Sequence, residues 1–384
     1  MDNMKKSYHI CLSAGNETLC RDKEDYIRFF NSLALAVAET ESSLLAESIM
    51  SNHAHKCVRT TSPKRLMERC RYKYSRYYNA KYHRRGRLGE KFPFIMELQG
   101  LHHELTAISY TLRNAVHHGI APTPFAYPHC SAKAIFMKGL GLESSSSTLP
   151  EHNKRIHLPA RCKCPEGWRM DQSGLILRED VIDTADVEHT FKTPRSYIYY
   201  MNRLSGEEWT REQEKDKQQS APITLETIEN GIVYQSVEQM LRHEHGKEDY
   251  RKMDDIALCE LIDKVILPEI CTSSVYELPR SKKAEIAEYL ARKYRLSASQ
   301  IRRCLAMLYT SHESQLSADF RESYLEIRRY EGCLDTSCNF RQKVATRGES
   351  VGEGEVCRRR MTEISHPPSI CTGLNVCYKP SKLL

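Results

Sequence analysis

Residues 51–57 read SNHAHKC, and the two histidines of this stretch, His53 and His55, are separated by one small residue. The surrounding pattern predicts two strands, residues 44–50 and 53–60, joined as a hairpin. Side chains two positions apart in a strand leave the same face, so both imidazoles would lie one pleat apart. The pair is therefore a candidate site for one cation. The competing interpretation is a solvated strand face, since the chain has 16 histidines.

The segments on either side of this hairpin alternate between strand and helix patterns. A helix is predicted after an N-cap at Asp22, and Pro63 suits the first turn of a second helix. The predicted strands are 8–13, 44–50, 53–60 and 92–98, and the predicted helices are 23–39, 63–82 and 101–117. This βαββαβα order predicts an α+β domain of ferredoxin-like kind, with two helices crossing a small, mostly antiparallel sheet.

The rest of the chain divides by composition. We predict a first domain at 1–138, a linker at 139–149 containing GLGLESSSST, a mixed and mostly helical region at 150–278, a helix-turn-helix segment at 279–330, and a disordered tail at 331–384. Ser297 and Gln300 form an S-x-x-Q capping box at the start of the second helix of that segment. In a DNA-binding helix-turn-helix this helix enters the major groove, which makes Gln300, Arg302 and Arg303 candidate DNA contacts. The alternative is an ordinary helical hairpin.

Composition narrows the class of protein. With 384 residues, 40% hydrophobic and 28% charged, the chain can form a packed core. No apolar run approaches the roughly 18 residues of a membrane span, and the N-terminus lacks the apolar core of a signal peptide. The 15 cysteines are scattered, which favours reduced thiols over a disulfide framework. We therefore expect an intracellular protein with no membrane partner.

Positive charge is concentrated between Arg59 and Lys91. This stretch holds twelve lysines or arginines against two glutamates, a net +10, while the whole chain carries +7. Tyrosines are interleaved with these charges. Basic side chains neutralise phosphates and aromatic rings stack on unpaired bases, so we favour a nucleic-acid surface over a solvated basic helix. The candidate contacts are Arg71, Lys73, Arg76, Tyr77, Tyr78, Lys81, Arg84, Arg85 and Arg87.

The helix predicted at 101–117 contains ISYTLRNAVHHGI, in which Tyr110 and Asn114 are four residues apart and share one helical face. A tyrosine nucleophile and an amide able to bind a metal would then face the sheet that carries the two histidines. The rival nucleophiles are the tyrosines of the basic stretch, Tyr74, Tyr77, Tyr78 and Tyr82. His9 on the first strand is expected to be structural, and the pairs His102–His103 and His117–His118 are expected at the surface.

Three segments in order resemble the REP-associated and insertion-sequence one-tyrosine transposases of the HUH superfamily. The family pattern is an N-H-x-H strand, a basic stretch with Y-N and G-x-L, and a helix reading roughly Y-I-x-x-N-P-x-x-x-G. The matching segments are Asn52–His55, RYYNAKYHRRGRLGEKF at 76–92, and Tyr110 through Asn114 to Gly119. The resemblance covers residues 7–136, about a third of the chain. Ala115 stands where the family has proline, and HHG replaces the commoner basic-apolar-glycine ending.

The resemblance implies a metal-dependent transposase of bacterial, nucleoid-associated and cytoplasmic location that cleaves and rejoins single-stranded, hairpin-forming DNA. Tyr110 would be the nucleophile, and His53, His55 and Asn114 would bind Mg²⁺ or Mn²⁺. A phenol with a pKa near 10 is a poor nucleophile at neutral pH, and a divalent cation on the scissile phosphate compensates for this. Relatives include homodimers that exchange active-site helices, so the Tyr110 helix could serve a partner chain.

Three other functions remain open from the sequence. The first is a non-catalytic DNA-binding or regulatory protein descended from such an enzyme. The second is a replication initiator or conjugative relaxase with the same chemistry, although those relatives usually carry further helicase-like regions and no P-loop is found here. The third is a plain metal-bound structural domain.

Overall fold

The computed structural model describes residues 4–307 except 16, 145–146, 203–222, 224–227, 229–252 and 295. The described residues belong to one compact unit, Met1–Tyr309. The predicted tail at 331–384 and the end of the predicted helix-turn-helix segment lie outside them. No helix in the described ranges is long and apolar enough to cross a membrane.

The first seven elements follow the order βαββαβα, as predicted. They are β1 (Lys6–Ser13), α1 (Lys23–Glu39), β2 (Ser43–Ile49), β3 (His53–Thr60), α2 (Pro63–Lys81), β4 (Phe94–Glu97) and α3 (Gly100–His117). The strands form a four-stranded sheet in the order β2-β3-β1-β4, with every neighbouring pair antiparallel. The protein is thus an α+β protein, and β1 and β3 form the centre of its sheet.

Local signals explain where the first helices begin. The Asp22 side chain accepts from the backbone N–H of Asp25, and the Asp25 side chain accepts from the backbone of Asp22, so α1 starts in a reciprocal capping box. Pro63 occupies the first turn of α2, where its missing N–H has no helical partner to lose.

The two faces of the sheet are covered by different helices. Adjacent residues of a strand point to opposite faces, and β3 shows this directly. The Lys56 ammonium lies 5.6 Å from the ring centroid of Phe29 on α1, whereas the Cys57 Sγ lies 3.4 Å from the Thr111 Oγ1 on α3. His53 and His55 are in phase with Cys57, so the sheet directs both histidines toward α3.

Residues after α3 fold back onto this first domain. They include the helices α4 (Glu151–Lys154), α5 (Arg178–Val181), α6 (Thr184–Phe191) and α7 (Pro194–Asn202). Asn31 on α1 donates to the Gly174 carbonyl at 2.7 Å, and Arg178 pairs with the buried Glu47 of β2 at 2.5 Å. One hydrophobic core therefore continues across residue 138. The domain limits drawn from composition stay predictions, and described residues on both sides of the predicted linker belong to this one core.

A second hydrophobic cluster is formed by the last described helices. These are α8 (Asp255–Leu261), which continues through a π-helical turn at Ile262–Ile266, α9 (Leu267–Glu269), α10 (Arg280–Tyr294) and α11 (Ala298–Cys304). The fully buried Arg21 joins this cluster to the first domain, because its guanidinium pairs with Asp263 at 2.7 Å and donates to the Cys304 carbonyl at 2.7 Å. Buried charges are tolerated when they are paired in this way.

The predicted helix-turn-helix corresponds to α10 and α11, and its second helix differs from the prediction. Ser297 caps α11 by accepting from the Gln300 backbone N–H, but the Gln300 side chain donates to the Met253 carbonyl at 3.0 Å and does not complete the capping box. The helix ends at Cys304, with Leu305 as its C-cap.

Candidate active site

Four of the residues singled out in the sequence meet between β3 and α3. His53 Nε2 lies 3.0 Å from Asn114 Nδ2, and the ring centroids of His55 and Tyr110 are 5.2 Å apart in an edge-to-face arrangement. The centroids of His53 and His55 are 5.0 Å apart. The i, i+4 spacing of Tyr110 and Asn114 thus places one of them against each histidine.

Each histidine is held at its Nδ1 by a neighbour. His53 Nδ1 lies 2.9 Å from the Asn52 Oδ1, and His55 Nδ1 lies 3.0 Å from the Nε2 of His9. With the rings held in this way, His53 Nε2 faces Asn114 on α3, while His55 Nε2 lies 3.9 Å from the Sγ of Cys11 on β1. Hydrogen bonds of this kind orient histidines that bind metals.

His9 was expected to be merely structural, and the structure places it inside the site. It is fully buried, and its ring stacks on that of His55 with centroids 5.1 Å apart. His118, expected at the surface, is buried with its ring centroid 5.1 Å from that of His53. His103 is also buried, while His102 and His117 are half-buried. Surface placement is therefore wrong for one member of each pair, because α3 turns that member toward the sheet.

Burial keeps the imidazoles of the site neutral. Loss of contact with water lowers the pKa of His9 to about 3 and that of His53 to about 3. The pKa of His55 falls well below its usual value for the same reason, and the neighbouring His53 lowers it further. Neutral imidazoles carry the lone pair that a metal ligand requires.

The donor set is compatible with a divalent cation. The Oδ1 of Asn114 is buried and has no hydrogen-bond partner, while its Nδ2 faces His53. Because the amide oxygen and nitrogen exchange places by a simple flip, this side chain can present its oxygen to a cation at the same position. Within the described ranges, no group of three or more His, Cys, Asp or Glu is arranged to hold a metal. Two imidazoles and one amide form an incomplete shell that substrate oxygens would have to complete.

The rival tyrosines lie elsewhere. Tyr74 donates to the Leu19 carbonyl at 2.5 Å, Tyr78 lies 3.1 Å from the Thr18 hydroxyl, and both are fully buried on the inner side of α2. Tyr77 and Tyr82 donate to the Asp25 carboxylate. Burial raises the pKa of Tyr74 and Tyr78 well above the usual value. Tyr110 is the predicted nucleophile that the structure places beside the histidines.

The predicted nucleic-acid residues of α2 and its following loop fall into two groups. Arg76, Arg85 and Arg87 are exposed and Arg71 is half-buried. The others are engaged within the protein: Lys73 pairs with Glu39 at 2.6 Å, Lys81 with Asp22 at 2.7 Å, Arg84 with Glu17 at 2.7 Å, and Tyr77 with Asp25 at 2.9 Å. Tyr78 has no exposed surface. The prediction of Tyr78 as a DNA contact is therefore wrong, because its spacing places it on the buried side of α2.

The candidate DNA contacts of α11 also fall into two groups, according to how deeply they are buried. Gln300 and Arg303 are buried, and Arg303 pairs with the buried Asp255 of α8 at 2.7 Å, while Arg302 is half-buried. In this conformation Gln300 and Arg303 hold α11 against its neighbours instead of forming a surface that DNA could reach. The Gln300 side chain donates to the Met253 carbonyl, and the Arg303 side chain donates to the Asp255 carboxylate.

Comparisons with known proteins include a similarity to a solved structure. No protein-family model matches the chain, and no curated protein matches it. Among solved structures, the chain is similar to a REP-associated tyrosine transposase bound to a REP hairpin, with 9% sequence identity and a TM-score of 0.30. The similarity covers 37% of this chain and 84% of that one. A TM-score this low supports neither a shared fold nor a function by itself.

Proposed function

We propose that the protein is a metal-dependent single-stranded DNA transposase with a ferredoxin-like HUH nuclease domain. The observation that carries this proposal is the meeting of Tyr110 and Asn114 with the two histidines, at 5.2 Å between ring centroids and 3.0 Å between nitrogens respectively. Binding DNA alone does not require a tyrosine and an amide placed against a pair of neutral imidazoles whose rings are held at Nδ1.

The proposed reaction exchanges one phosphodiester for another. The Tyr110 oxygen attacks the phosphorus and forms a 5′-phosphotyrosine bond, the bond from phosphorus to the 3′ oxygen breaks, and the proton lost by the phenol balances the one gained by the 3′-hydroxyl. Attack of a 3′-hydroxyl on the phosphotyrosine reverses these changes, so rejoining needs no external energy source. When bound by His53, His55 and Asn114, Mg²⁺ or Mn²⁺ would neutralise the phosphate and stabilise the leaving oxygen.

A single chain contains the whole proposed site. Tyr110 packs against His55 of its own chain, so exchange of α3 between two copies is not needed to assemble the four residues. Tyr110 is 2% exposed, and the half-buried His117 ring lies 6.0 Å from its ring. Access of DNA to the Tyr110 hydroxyl therefore requires side chains around α3 to move, and we include this step in the proposal.

The test is an incubation of the full chain with end-labelled, hairpin-bearing single-stranded DNA from around its own gene, with Mn²⁺ or with EDTA. We expect a covalent protein–DNA adduct that needs metal, is lost in Tyr110→Phe, and persists in the matched control Tyr199→Phe, an exposed tyrosine of α7. An adduct that survives Tyr110→Phe would assign the nucleophile to another tyrosine and overturn the proposed role of Tyr110.

The second candidate function is a non-catalytic DNA-binding regulator derived from such an enzyme. The burial of Tyr110 favours it, because a nucleophile must reach its substrate. In the same incubation, binding of hairpin DNA by the wild-type chain with no adduct under any metal condition would support the regulator and reject the transposase.

A further inference from the structure

A groove separate from the histidine site lies between α2 and residues 86–95. Its volume is about 580 Å³, within the range of roughly 300–1,000 Å³ typical of small-molecule sites in proteins. The loop that forms one wall is held in place, because Asn79 donates to the Gly86 carbonyl at 2.7 Å and Arg84 pairs with Glu17. The groove is therefore a formed feature of the surface.

The lining of this groove is strongly basic. Five cationic side chains contribute to it against one carboxylate, that of Glu68; they are Lys64, Arg71, Arg76, Arg87 and Lys91. Arg71 donates to the Lys91 carbonyl at 3.2 Å through Nη1, while its Nε and Nη2 are buried and have no hydrogen-bond partner. Buried donors of a charged group are costly to leave unpaired. A phosphate oxygen would supply the missing acceptors, and guanidinium groups bind phosphate through two donors at once.

Two aromatic rings line the same groove and are largely exposed. Tyr72 is 60% exposed and Phe92 is 77% exposed, which is unusual for a phenylalanine in a folded domain. The Arg76 guanidinium lies 5.6 Å from the centroid of the Tyr72 ring, and the Lys91 ammonium lies 5.0 Å from that of Phe92. Aromatic rings beside cations in a groove are the usual means of binding unstacked bases and their phosphates.

The edge strand β4 separates this groove from the histidine site. Ile95 lines the groove, while its neighbour Phe94 points to the opposite face, where its ring centroid lies 6.3 Å from that of His9. A DNA strand that occupied the groove would have to pass only the edge of the sheet to approach the face that carries Tyr110. This arrangement connects the groove with the proposed site without merging them.

We propose that this groove binds one or two unpaired nucleotides of single-stranded DNA, with phosphate on Arg71 and bases against Tyr72 and Phe92. The choice of DNA rests on the proposed function, whereas the choice of a phosphate-linked aromatic ligand rests on the lining itself. The groove holds the strand and does not take part in the bond exchange at Tyr110.

The test is the anisotropy of fluorescein-labelled hexathymidylate titrated with the full chain carrying Tyr110→Phe, in EDTA, so that neither cleavage nor metal contributes. We expect Tyr72→Ala and Phe92→Ala each to weaken binding about 5- to 150-fold, the range found for loss of one base–aromatic stack. Arg71→Gln and Arg87→Gln should each weaken binding and reduce the slope of log affinity against log salt by about 0.7.

The matched controls are Tyr199→Ala, an aromatic residue that is 56% exposed on α7, and Arg155→Gln, an exposed arginine outside the groove. Neither should change the affinity. Thermal unfolding of each variant separates loss of binding from loss of fold, and the exposed Arg87 provides a charge variant if Arg71→Gln is unstable. Absence of binding by the full chain, or aromatic variants that bind as tightly as Tyr199→Ala, would overturn the proposal.

This experiment is independent of the adduct assay. If the wild-type chain forms the Tyr110 adduct but the groove does not bind DNA, the groove proposal is wrong and the transposase proposal stands. If the groove binds DNA but no adduct forms, the transposase proposal is wrong and the groove proposal stands.

Discussion

His9 completes the candidate site without belonging to any sequence motif. For His55 to bind a cation through Nε2, its proton must be on Nδ1, which then donates to the Nε2 of His9 over 3.0 Å. His9 must in that case carry its own proton on Nδ1, an atom that is buried and has no hydrogen-bond partner. His9 is therefore a positioning residue that selects the tautomer and ring orientation of His55.

Replacement of His9 by phenylalanine should keep the ring packing and remove this hydrogen bond. We expect His9→Phe to weaken Mn²⁺ binding about 10- to 100-fold, the usual effect of losing a partner of a metal-binding histidine. Isothermal titration calorimetry of the full chain without DNA measures this directly. The exposed His152→Gln is the control and should leave the affinity unchanged. Equal affinities for wild type and His9→Phe would show that His9 does not orient a ligand.

The sequence predicts one part of this site and misses another for a definite physical reason. His53 and His55 share a face because of strand periodicity, and Tyr110 and Asn114 share a face because of helix periodicity. Neither the strand periodicity nor the helix periodicity reveals which residue of β1 pairs with which residue of β3. That depends on the register, in which His9 pairs with Cys57 and Cys11 with His55, and register is set by the three-dimensional pairing of distant segments.

At the scale of elements, α2 shows how a basic helix can be misinterpreted. Its buried side is a ladder of residues four apart, Leu66, Cys70, Tyr74 and Tyr78, continued by Tyr82 beyond its end. This spacing was visible in the sequence and could have placed Tyr78 in the core. What the sequence does not show is which lysines and arginines are paired with the acidic residues of α1 and its cap, because those pairs join elements far apart in the chain.

A buried ion pair is one of the contacts that fix the position of α11. Arg303 and Asp255 are 3% and 2% exposed in their side chains, and the Asp255 carboxylate also accepts from the Ser51 hydroxyl at 2.5 Å, beside the β2–β3 hairpin. Removal of one partner leaves an uncompensated buried charge. We therefore expect Arg303→Ala to lower the free energy of unfolding by about 3–5 kcal/mol, as measured by urea denaturation.

Two further variants decide whether Arg303 acts in packing or in DNA binding. Arg302 is on the same helix and is half-buried, so Arg302→Ala should lower the free energy of unfolding by no more than about 1 kcal/mol. The double variant Asp255→Leu/Arg303→Met should recover most of the lost stability, because it removes both charges together. A stable Arg303→Ala protein with reduced affinity for duplex DNA would instead restore the helix-turn-helix interpretation.

At the scale of the whole molecule, the chain beyond α3 closes the β2 edge of the sheet. The backbone N–H of Ile49 donates to the His129 carbonyl at 2.9 Å, that of Ser131 to the Glu47 carbonyl at 3.0 Å, and that of Asp183 to the Leu44 carbonyl at 2.8 Å. An exposed edge would otherwise be open to pairing with another chain. The sequence does not reveal this, because His129 and Ser131 follow the last predicted helix of the first domain and Asp183 lies in the region predicted as mixed and mostly helical, and no strand is predicted at any of them.

His129 makes this closure sensitive to acid. Its ring stacks on Tyr26 of α1 with centroids 3.8 Å apart, and burial, with smaller contributions from Arg178 and Lys23, lowers its pKa to about 3. Between pH 6.5 and about 3 the unfolded chain binds a proton at this imidazole that the folded chain does not. The contribution of His129 to stability is therefore complete above pH 6.5 and is lost as the pH falls, by at most about 1.4 kcal/mol per pH unit.

The corresponding measurement is the free energy of unfolding at several pH values between 7 and 4, in EDTA, for wild type and His129→Phe. Phenylalanine keeps the stack on Tyr26 and cannot be protonated, so the variant should gain stability relative to wild type as the pH falls. Comparison of the two curves cancels the groups they share, including Glu47, whose raised pKa acts in the opposite direction because protonation favours its buried form. His152→Gln should run parallel to wild type. Parallel curves for His129→Phe would mean that this imidazole is hydrated in the folded protein, and that the closure of the β2 edge at His129 is looser than its ring stacking indicates.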